Sequence, residues 1–359
     1  RLYLRLDASG RWTAFGEGGA LFRRTVDGRI LMPRGEGFEA LEASRVSTVD
    51  AWVIRRAGEV LEALREAEHG EAQVTGDRRR LLALLAAGAC AERPDPETDR
   101  ARFERAYAEP VPILPPHRYR DVVVLPATGC PNHACRFCAF YRDRPFRVVE
   151  PEAFRRHLEA VRDLFGDALA SRDGVFLGSA SALSLPDEVL LDRLAAVEQF
   201  LGRPRRGIAS FHDPDRGRVR SAADWTRLVA AGLVEATVGL ETGLPSLRAE
   251  VGKSADLDRF VETVIRMKSG GLRVSVTVLV GLGGSEYAEA HRRETLAILG
   301  RMPLGAGDRV YLAPLASPAE PRLDAADRAV EVRRFREGIR SDLEVPVGDY
   351  RIERFAWLA

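Results

Sequence analysis

The sequence predicts an α/β protein: a partial (β/α)6 TIM-like barrel with a small N-terminal α+β domain and a short C-terminal extension. From about residue 119, short apolar runs alternate with stretches of helical periodicity. Runs that are apolar throughout are typical of parallel strands covered by helices on their outer side. Six strand–helix units can be recognised, whereas a closed barrel has eight, so we expect an open, partial barrel.

Each barrel element is predicted from its apolar pattern and from the turn residues that flank it. The six strands are Asp121–Leu125, Gly174–Leu177, Gly207–Phe211, Glu235–Leu240, Arg273–Val280 and Arg309–Leu312. The helices between them are Pro151–Phe165, Pro186–Leu201, Arg218–Ala231, Leu257–Gly270 and Glu286–Arg301. In such folds the chemistry lies at the carboxyl ends of the strands, so functional residues are expected in the loops that follow them.

Residues 1–110 are predicted to form a separate accessory or lid domain, joined to the barrel by a Pro-rich linker at 111–118. Its predicted strands and helices are Leu2–Leu6, Trp12–Phe15, Ala20–Arg24, Ala51–Glu66 and Arg78–Ala87. A lid would cover the open side of the barrel and exclude water. A substrate-recognition module, for example one that binds a peptide, is the alternative.

The barrel is predicted to occupy residues 119–315 and the extension residues 316–359. The extension contains a helix at Asp324–Arg340 and a short strand near Tyr350–Phe355.

Charge and hydropathy limit the possible partners. The formal net charge is +1, which gives no reason to expect binding to nucleic acid. No run approaches the roughly 18 apolar residues that a membrane helix needs, and no signal-peptide core is present, so we expect no membrane association. Three of the four cysteines fall within nine residues, a pattern typical of a metal or redox site in a cytoplasmic protein.

The three clustered cysteines follow the first predicted barrel strand. Cys130 and Cys135 are separated by four residues, and Cys135 and Cys138 by two. Thiolates favour iron–sulfur clusters, zinc or copper, and a [4Fe–4S] cluster normally takes four of them. With only three, one iron would stay open to a substrate. The alternative is a zinc site with His133 or the distant Cys90 as fourth ligand, although no second ligand pair is present.

With an aromatic residue, Phe137, just before the last cysteine, this loop resembles the signature of the radical S-adenosylmethionine (SAM) superfamily. The commonest spacing of that family has three residues in the first gap, and the gap of four here resembles a known variant. The resemblance covers about residues 119–315 and implies that Cys130, Cys135 and Cys138 bind a [4Fe–4S] cluster. It further implies that the open iron binds SAM and that electron transfer breaks a C–S bond, usually giving a 5′-deoxyadenosyl radical.

Motifs after later strands extend the resemblance to a SAM site. Gly178 and Ser179 lie where the family places a Gly-rich motif against the methionine part of SAM, although the usual acidic residue is missing. The later motifs are similar to those of the branch that includes the oxygen-independent coproporphyrinogen oxidases. There the resemblance implies that Glu241 and the basic Lys253 hold SAM, that Thr277 contacts the ribose, and that Gly281 begins a turn near adenine.

Polar residues near the strand ends are candidates for catalysis. We select Tyr141, His212 and Tyr311 as catalytic candidates, with Asp213 beside His212. Arg142 and Arg144 directly follow the cysteine loop and could neutralise cluster charge or bind an acidic substrate.

The resemblance implies an enzyme that abstracts hydrogen from a small organic substrate, leading to rearrangement, elimination, oxidation or coupling. An external one-electron donor such as flavodoxin or ferredoxin would reduce the cluster. The lack of further clustered cysteines argues against a second cluster. The alternative function is a cofactor carrier without turnover, resembling haem chaperones, for which His212 is the chief motivation.

Overall fold

The computed structural model describes residues 2–7, 9–35, 37–68, 96–111, 113–138, 140–315, 323–351 and 355–358. The predicted helix at Arg78–Ala87 and the possible ligand Cys90 lie outside these residues. The chain divides into two compact units: Arg1–Pro110 with Leu158–Arg172 and Glu353–Ala359, and Val111–His157 with Asp173–Ile352.

The first unit contains an antiparallel sheet whose five strands follow chain order: β1 (Leu2–Leu6), β2 (Trp12–Glu17), β3 (Ala20–Arg24), β4 (Ile30–Arg34) and β5 (Gly37–Ala40). In the described part of this unit, the strands are followed by α1 (Ala43–Glu68) and α2 (Pro96–Ala106). Trp12, Phe15, Ile30 and Val53 form the core between sheet and α1. The sequence analysis predicted three strands and missed β4 and β5. Pro33 lies within β4, and a proline argues against a strand.

The second unit is built on one parallel sheet, which confirms the predicted fold class. Its seven strands are β6 (Val122–Val124), β9 (Val175–Leu177), β10 (Ile208–His212), β11 (Leu233–Glu241), β12 (Arg273–Val280), β13 (Arg309–Pro314) and β14 (Val347–Asp349). They lie side by side in the order β14-β13-β12-β11-β10-β9-β6, and each neighbouring pair is parallel.

Helices connect these strands: α3 (Pro151–Phe165), α4 (Asp187–Leu201), α5 (Ala222–Ala230), α6 (Pro245–Glu250), α7 (Leu257–Ser269), α8 (Gly284–Gly300) and α9 (Ala325–Asp342). Ser221 and Asp224 form a reciprocal capping box that starts α5, which is why this helix begins later than predicted. None of the described helices is long and apolar enough to cross a membrane.

The last described strand lies just before the strand predicted near Tyr350–Phe355, of which residues 352–354 lie outside the described residues. β14 ends at Asp349, before the predicted Tyr350–Phe355, and pairs with β13. Gly348 explains this placement, because an added Cβ there would come 2.8 Å from the ring of Tyr311. A glycine in β14 therefore leaves room for the aromatic side chain of the neighbouring strand.

The strand register decides which side chains share the inner face of the sheet, opposite the helices. Thr277 pairs with Gly239 on one side and with Tyr311 on the other. A bulge between Gly239 and Glu241 interrupts the alternation at the carboxyl end of β11. Bulges redirect side chains. This bulge redirects the side chain of Glu241 at the carboxyl end of β11, the end at which the cysteine loop also lies.

Candidate active site

The cysteine loop is closed by a short antiparallel pair, β7 (Ala127–Thr128) and β8 (Arg147–Val148). Cys130, Cys135 and Cys138 all lie in this loop, and all three are free and half-buried. The backbone N–H of Asn132 donates to Cys130 Sγ at 3.3 Å, and its side-chain amide donates to Cys135 Sγ at 3.3 Å. Asn132 therefore orients two of the three sulfurs. It was not selected from the sequence, although an Asn between two ligands is a usual signal of such a turn.

Gly252 holds the cysteine loop against the segment after α6. Its φ is 82°, and an added Cβ would lie 1.9 Å from the carbonyl oxygen of Ala134. The backbone N–H of Arg136 donates to the carbonyl of Val251 at 3.1 Å. Only glycine allows this approach, and it brings the next residue, Lys253, to the loop.

Lys253 is a buried cation between carboxylates and a cysteine. Its Nζ lies 3.5 Å from Asp213 Oδ1 and 4.0 Å from Asp215 Oδ2. Burial would lower the pKa of Lys253, but the charges of Asp213, Glu241 and Cys135 raise it above its usual range. Burial alone would raise the pKa of Asp213, yet Lys253 holds it below its usual value. Both groups are therefore charged at neutral pH.

Burial also raises the pKa of two thiols. It raises the pKa of Cys130 to about 11 and that of Cys135 to about 12, and Lys253 partly offsets the effect at Cys135. A metal ligand must lose its proton, so these thiols would release protons on binding a metal centre.

Glu241 sits at the bulge with a φ of 63°, a strained value for a residue other than glycine. Its carboxylate is buried, and burial raises its pKa to about 7, although Lys253 and Arg248 lower it. An added Cβ on Gly239 would lie 2.1 Å from Glu241 Oε1 and 3.5 Å from Lys253 Nζ. The glycine therefore makes room for the two side chains that the sequence selected together.

The turn after β9 joins the same group. Ser179 has a φ of 72°, and its hydroxyl is buried without a hydrogen-bond partner among the described residues. The neighbouring Ala180 N–H donates to the carbonyl of Gly129 at 3.3 Å. Ser181 Oγ accepts from the backbone N–H of Asp213 at 2.9 Å. The predicted Gly178–Ser179 turn is thus linked both to the cysteine loop and to the carboxylate that holds Lys253.

The other predicted SAM contacts lie on neighbouring elements. Phe137 packs against the apolar cluster that contains Val251 and Tyr311. Thr277 is buried on the inner face of β12, and Gly281 adopts a φ of 94° in the turn after that strand. These positions border the group formed by Lys253 and Glu241 through the register of β11 and β12.

The structure does not bring all catalytic candidates into this group. His212 is 2% exposed, and its ring packs edge-on against Trp225 of α5, on the helix side of the sheet. Its register partner Val238 confirms that it faces away from the inner face. Burial lowers its pKa to about 3, so it is neutral, and its burial removes the motivation for a haem carrier.

Tyr311 is on the inner face, but its hydroxyl bonds to Nδ1 of His117, whose Nε2 lies 2.6 Å from Glu235 Oε1. Burial raises the pKa of Tyr311 to about 12. Tyr141 is half-buried in the cysteine loop, with its ring edge-on to Phe140. Of the two loop arginines, Arg142 donates to the carbonyl of Arg136, and Arg144 lies over the ring of Phe140.

Sequence reasoning missed Asp215 and Arg248. Arg248 is fully buried and donates to Asp215 Oδ1 at 2.7 Å and to the carbonyls of Leu240 and Ser254. It thereby fixes the segment that carries Lys253. An Arg on a six-residue helix gives no sequence signal, because burial there depends on packing.

The donor set is suited to a cluster. Three free thiols lie in one loop, and the buried Lys253 favours the ionised form of Cys135. Soft thiolates are the usual ligands of iron–sulfur centres. Among the described residues, no three His, Cys, Asp or Glu side chains are close enough to hold a single metal ion.

Three solved structures have a weak similarity to this chain. TsrM from Kitasatospora setae, a radical SAM methyltransferase, is 15% identical over 55% of this chain and 37% of its own, with a TM-score of 0.40. Coproporphyrinogen III oxidase from Escherichia coli is 12% identical over 63% and 54%, with a TM-score of 0.47. SuiB from Streptococcus suis is 13% identical over 97% and 72%, with a TM-score of 0.46. The chain spans about a third of TsrM and about half of the oxidase, and likenesses this weak carry no argument about activity.

A family model gives the stronger result. No curated protein matches the chain. Residues 124–296 match the model of the radical SAM superfamily, within the range that the sequence predicted. The match supports the prediction of an enzyme and leaves its reaction subclass open. Residues 124–296, just under half of the chain, are therefore similar to the radical SAM superfamily.

Proposed function

We propose that this protein is a radical SAM enzyme that binds one [4Fe–4S] cluster on Cys130, Cys135 and Cys138 and acts on a small organic substrate. The observation that carries the proposal is the joining of the cysteine loop to the segment of Lys253 through Gly252. Two sites that are 115 residues or more apart in the sequence thus meet at the carboxyl ends of the strands, where barrels of this kind hold their ligands.

The cluster would be held by the three thiolates, with Asn132 fixing the direction of two sulfurs. When bound and reduced, such a cluster supplies the single electron that breaks a C–S bond of SAM. Lys253 would lower the electrostatic cost of gathering thiolate charge in a half-buried site, because an opposite charge nearby favours the ionised thiol.

SAM would lie between the cysteine loop and the turns after β9, β11 and β12. Lys253 provides a permanent cation for its carboxylate, and the carboxyl of Glu241, with a pKa of about 7, can accept from its amino group. The hydroxyl of Ser179 has no other partner among the described residues and can bond to the methionine part. Thr277 and Gly281 would face the ribose and the adenine.

Asp213 and Asp215 have a positioning role in this proposal. They hold the Lys253 ammonium at 3.5 and 4.0 Å, while Arg248 holds Asp215. Because these distances are long for ion pairs, Lys253 keeps donor capacity for a ligand carboxylate. Tyr141 and Tyr311 remain proposed substrate-side residues. We do not include His212, since it faces α5.

The cluster would need an external one-electron donor, such as flavodoxin or ferredoxin, and the role of residues 1–110 as a lid stays a prediction. The test is anaerobic reconstitution with iron and sulfide, followed by dithionite and SAM. We expect about four irons per chain and formation of 5′-deoxyadenosine. Four bound irons without any cleavage of SAM would contradict the proposal.

The sequence contains two lysines, which provides a matched control. Lys253→Gln should retain the cluster and lose most SAM cleavage. Lys268→Gln changes a lysine that pairs with Asp308 at 2.7 Å, outside the site, and should retain SAM cleavage per folded molecule.

A further inference from the structure

A cavity lies at the amino ends of the barrel strands, at the opposite end of the sheet from the cysteine loop. Its volume is about 690 Å³, and the loops before β10, β11 and β13, together with the first residue of β12, line it. Cavities of this size hold small-molecule ligands in other proteins. The radical SAM site proposed above uses none of these loops.

Arginines from three separate segments surround this cavity: Arg203, Arg205 and Arg206 before β10, Arg273 at the start of β12, and Arg309 at the start of β13. Two carboxylates oppose them, those of the exposed Glu198 and the buried Glu235. Asp173 offsets part of the charge of Arg205 and Arg206, at 3.1 and 4.0 Å, and the wall still carries more arginines than carboxylates.

Glu235 does not neutralise this excess, because its oxygens are already used. Oε1 accepts from Ser275 at 3.0 Å and lies 2.6 Å from His117 Nε2, while Oε2 accepts from Arg118 at 2.8 Å. Burial would raise the pKa of Glu235, but His117 and Arg118 hold it at about 2. The buried Arg118 also pairs with Asp121 at 3.2 Å, so it is shared between two carboxylates.

Arg273 and Arg309 are left without a close counter-charge. Arg273 Nε lies 3.9 Å from Glu235 Oε2, a long contact, and Arg309 forms no ion pair among the described residues. The register places them on adjacent strands, since Arg273 is opposite Glu235 and Arg309 is opposite Ser275. Adjacent parallel strands are about 4.8 Å apart, and the offset of two residues adds about 6.6 Å along the strand, so the two Cα atoms lie about 8 Å apart. Two arginine side chains on the same face can span that distance and reach one anion.

We infer that this cavity binds a small molecule through a phosphate or diphosphate group held by Arg273 and Arg309. Guanidinium forks pair with phosphate oxygens through two parallel hydrogen bonds, and two convergent forks match a group that carries two or more negative charges. A single carboxylate would pair with only one of the two guanidinium groups.

The experiment is isothermal titration calorimetry of the full chain with its reconstituted cluster, under anaerobic conditions, with inorganic diphosphate as the probe. Cluster absorbance before and after the titration establishes that the probe has not extracted iron. We expect one diphosphate per chain. Arg273→Gln and Arg309→Gln should each weaken binding roughly tenfold or more. Arg266→Gln, which removes an exposed arginine on α7 that pairs with Glu262, should not change it.

Arg309→Lys keeps the charge and should still weaken binding, because lysine lacks the planar fork. A nucleoside diphosphate that binds more tightly than the inorganic ion would identify the natural ligand as an ester. The inference is overturned if diphosphate does not bind, if the Arg273→Gln, Arg309→Gln double variant binds like the unaltered chain, or if citrate binds equally well. Since none of these outcomes involves SAM cleavage, they are independent of the proposed radical chemistry.

Discussion

Replacing Glu241 by Gln should make the stability of the metal-free protein less sensitive to pH. The Glu241 carboxyl is buried, and its pKa is raised to about 7 from a usual value near 4.5. Between these two values the unfolded chain releases a proton that the folded protein keeps. The native state therefore loses stability as pH rises from about 4.5 to about 7, and the loss is complete above that range.

The magnitude of this loss of stability follows from the pKa shift of Glu241. One pKa unit corresponds to about 1.4 kcal/mol, so a shift of about 2.5 units corresponds to about 3 kcal/mol when fully expressed. At pH 5 a small part of the loss has already occurred. Between pH 5 and pH 8.5 we therefore expect Glu241→Gln to gain about 2.5 kcal/mol of unfolding free energy relative to the unaltered protein.

Urea unfolding of both metal-free proteins across this pH range measures the difference directly. Glu235→Gln is the matched control, because His117 and Arg118 hold the pKa of Glu235 at about 2. The ionised Glu235 carboxylate stabilises the folded protein fully at pH values above its pKa in the unfolded chain, and this stabilisation is lost only in acid. The difference in unfolding free energy between Glu235→Gln and the unaltered protein should therefore be almost constant from pH 5 to pH 8.5. A difference for Glu241→Gln that stays constant or falls with pH would refute the reasoning.

Two further substitutions test the contact between the cysteine loop and the segment that contains Gly252 and Lys253. Gly252→Ala should lower the iron bound after reconstitution to less than half, because its Cβ would overlap the carbonyl of Ala134. Gly300 has open space around it, so Gly300→Ala should bind the full amount of iron. Equal iron content in both variants would contradict this prediction. Lys253→Gln should bind SAM roughly 10- to 100-fold more weakly in an equilibrium binding assay, since a buried charged hydrogen bond is lost. Unchanged affinity would exclude Lys253 from the SAM site.

The barrel elements that were predicted best are those with a strong local pattern of apolar residues. β12 is found at Arg273–Val280 and α3 at Pro151–Phe165, both with the predicted ends, because an apolar run or a three-and-four periodicity is visible without tertiary information. The end of the chain was harder to predict. β14 is three residues long, and it depends on its pairing with β13 and on the room that Gly348 leaves for Tyr311.

The site shows the same difference between local and tertiary signals. The spacing of Glu241 and Lys253 could be interpreted from the sequence, and the structure brings both side chains near Cys135. The side of the sheet that His212 faces could not be predicted, because it is the last residue of β10 and a shift of one residue reverses the face. Asp215 and Arg248 have no motif, since their roles arise only where two loops meet.

The central claim is that SAM binds directly to the open iron of a cluster held by three cysteines. Electron–nuclear double resonance of the reduced cluster, with SAM labelled by ¹⁷O in its carboxylate, tests this most directly. The account predicts a clear ¹⁷O coupling in the unaltered protein and its absence when any one of Cys130, Cys135 and Cys138 is replaced by Ala. A fully formed, reduced cluster that shows no coupling to the labelled carboxylate at saturating SAM would contradict it.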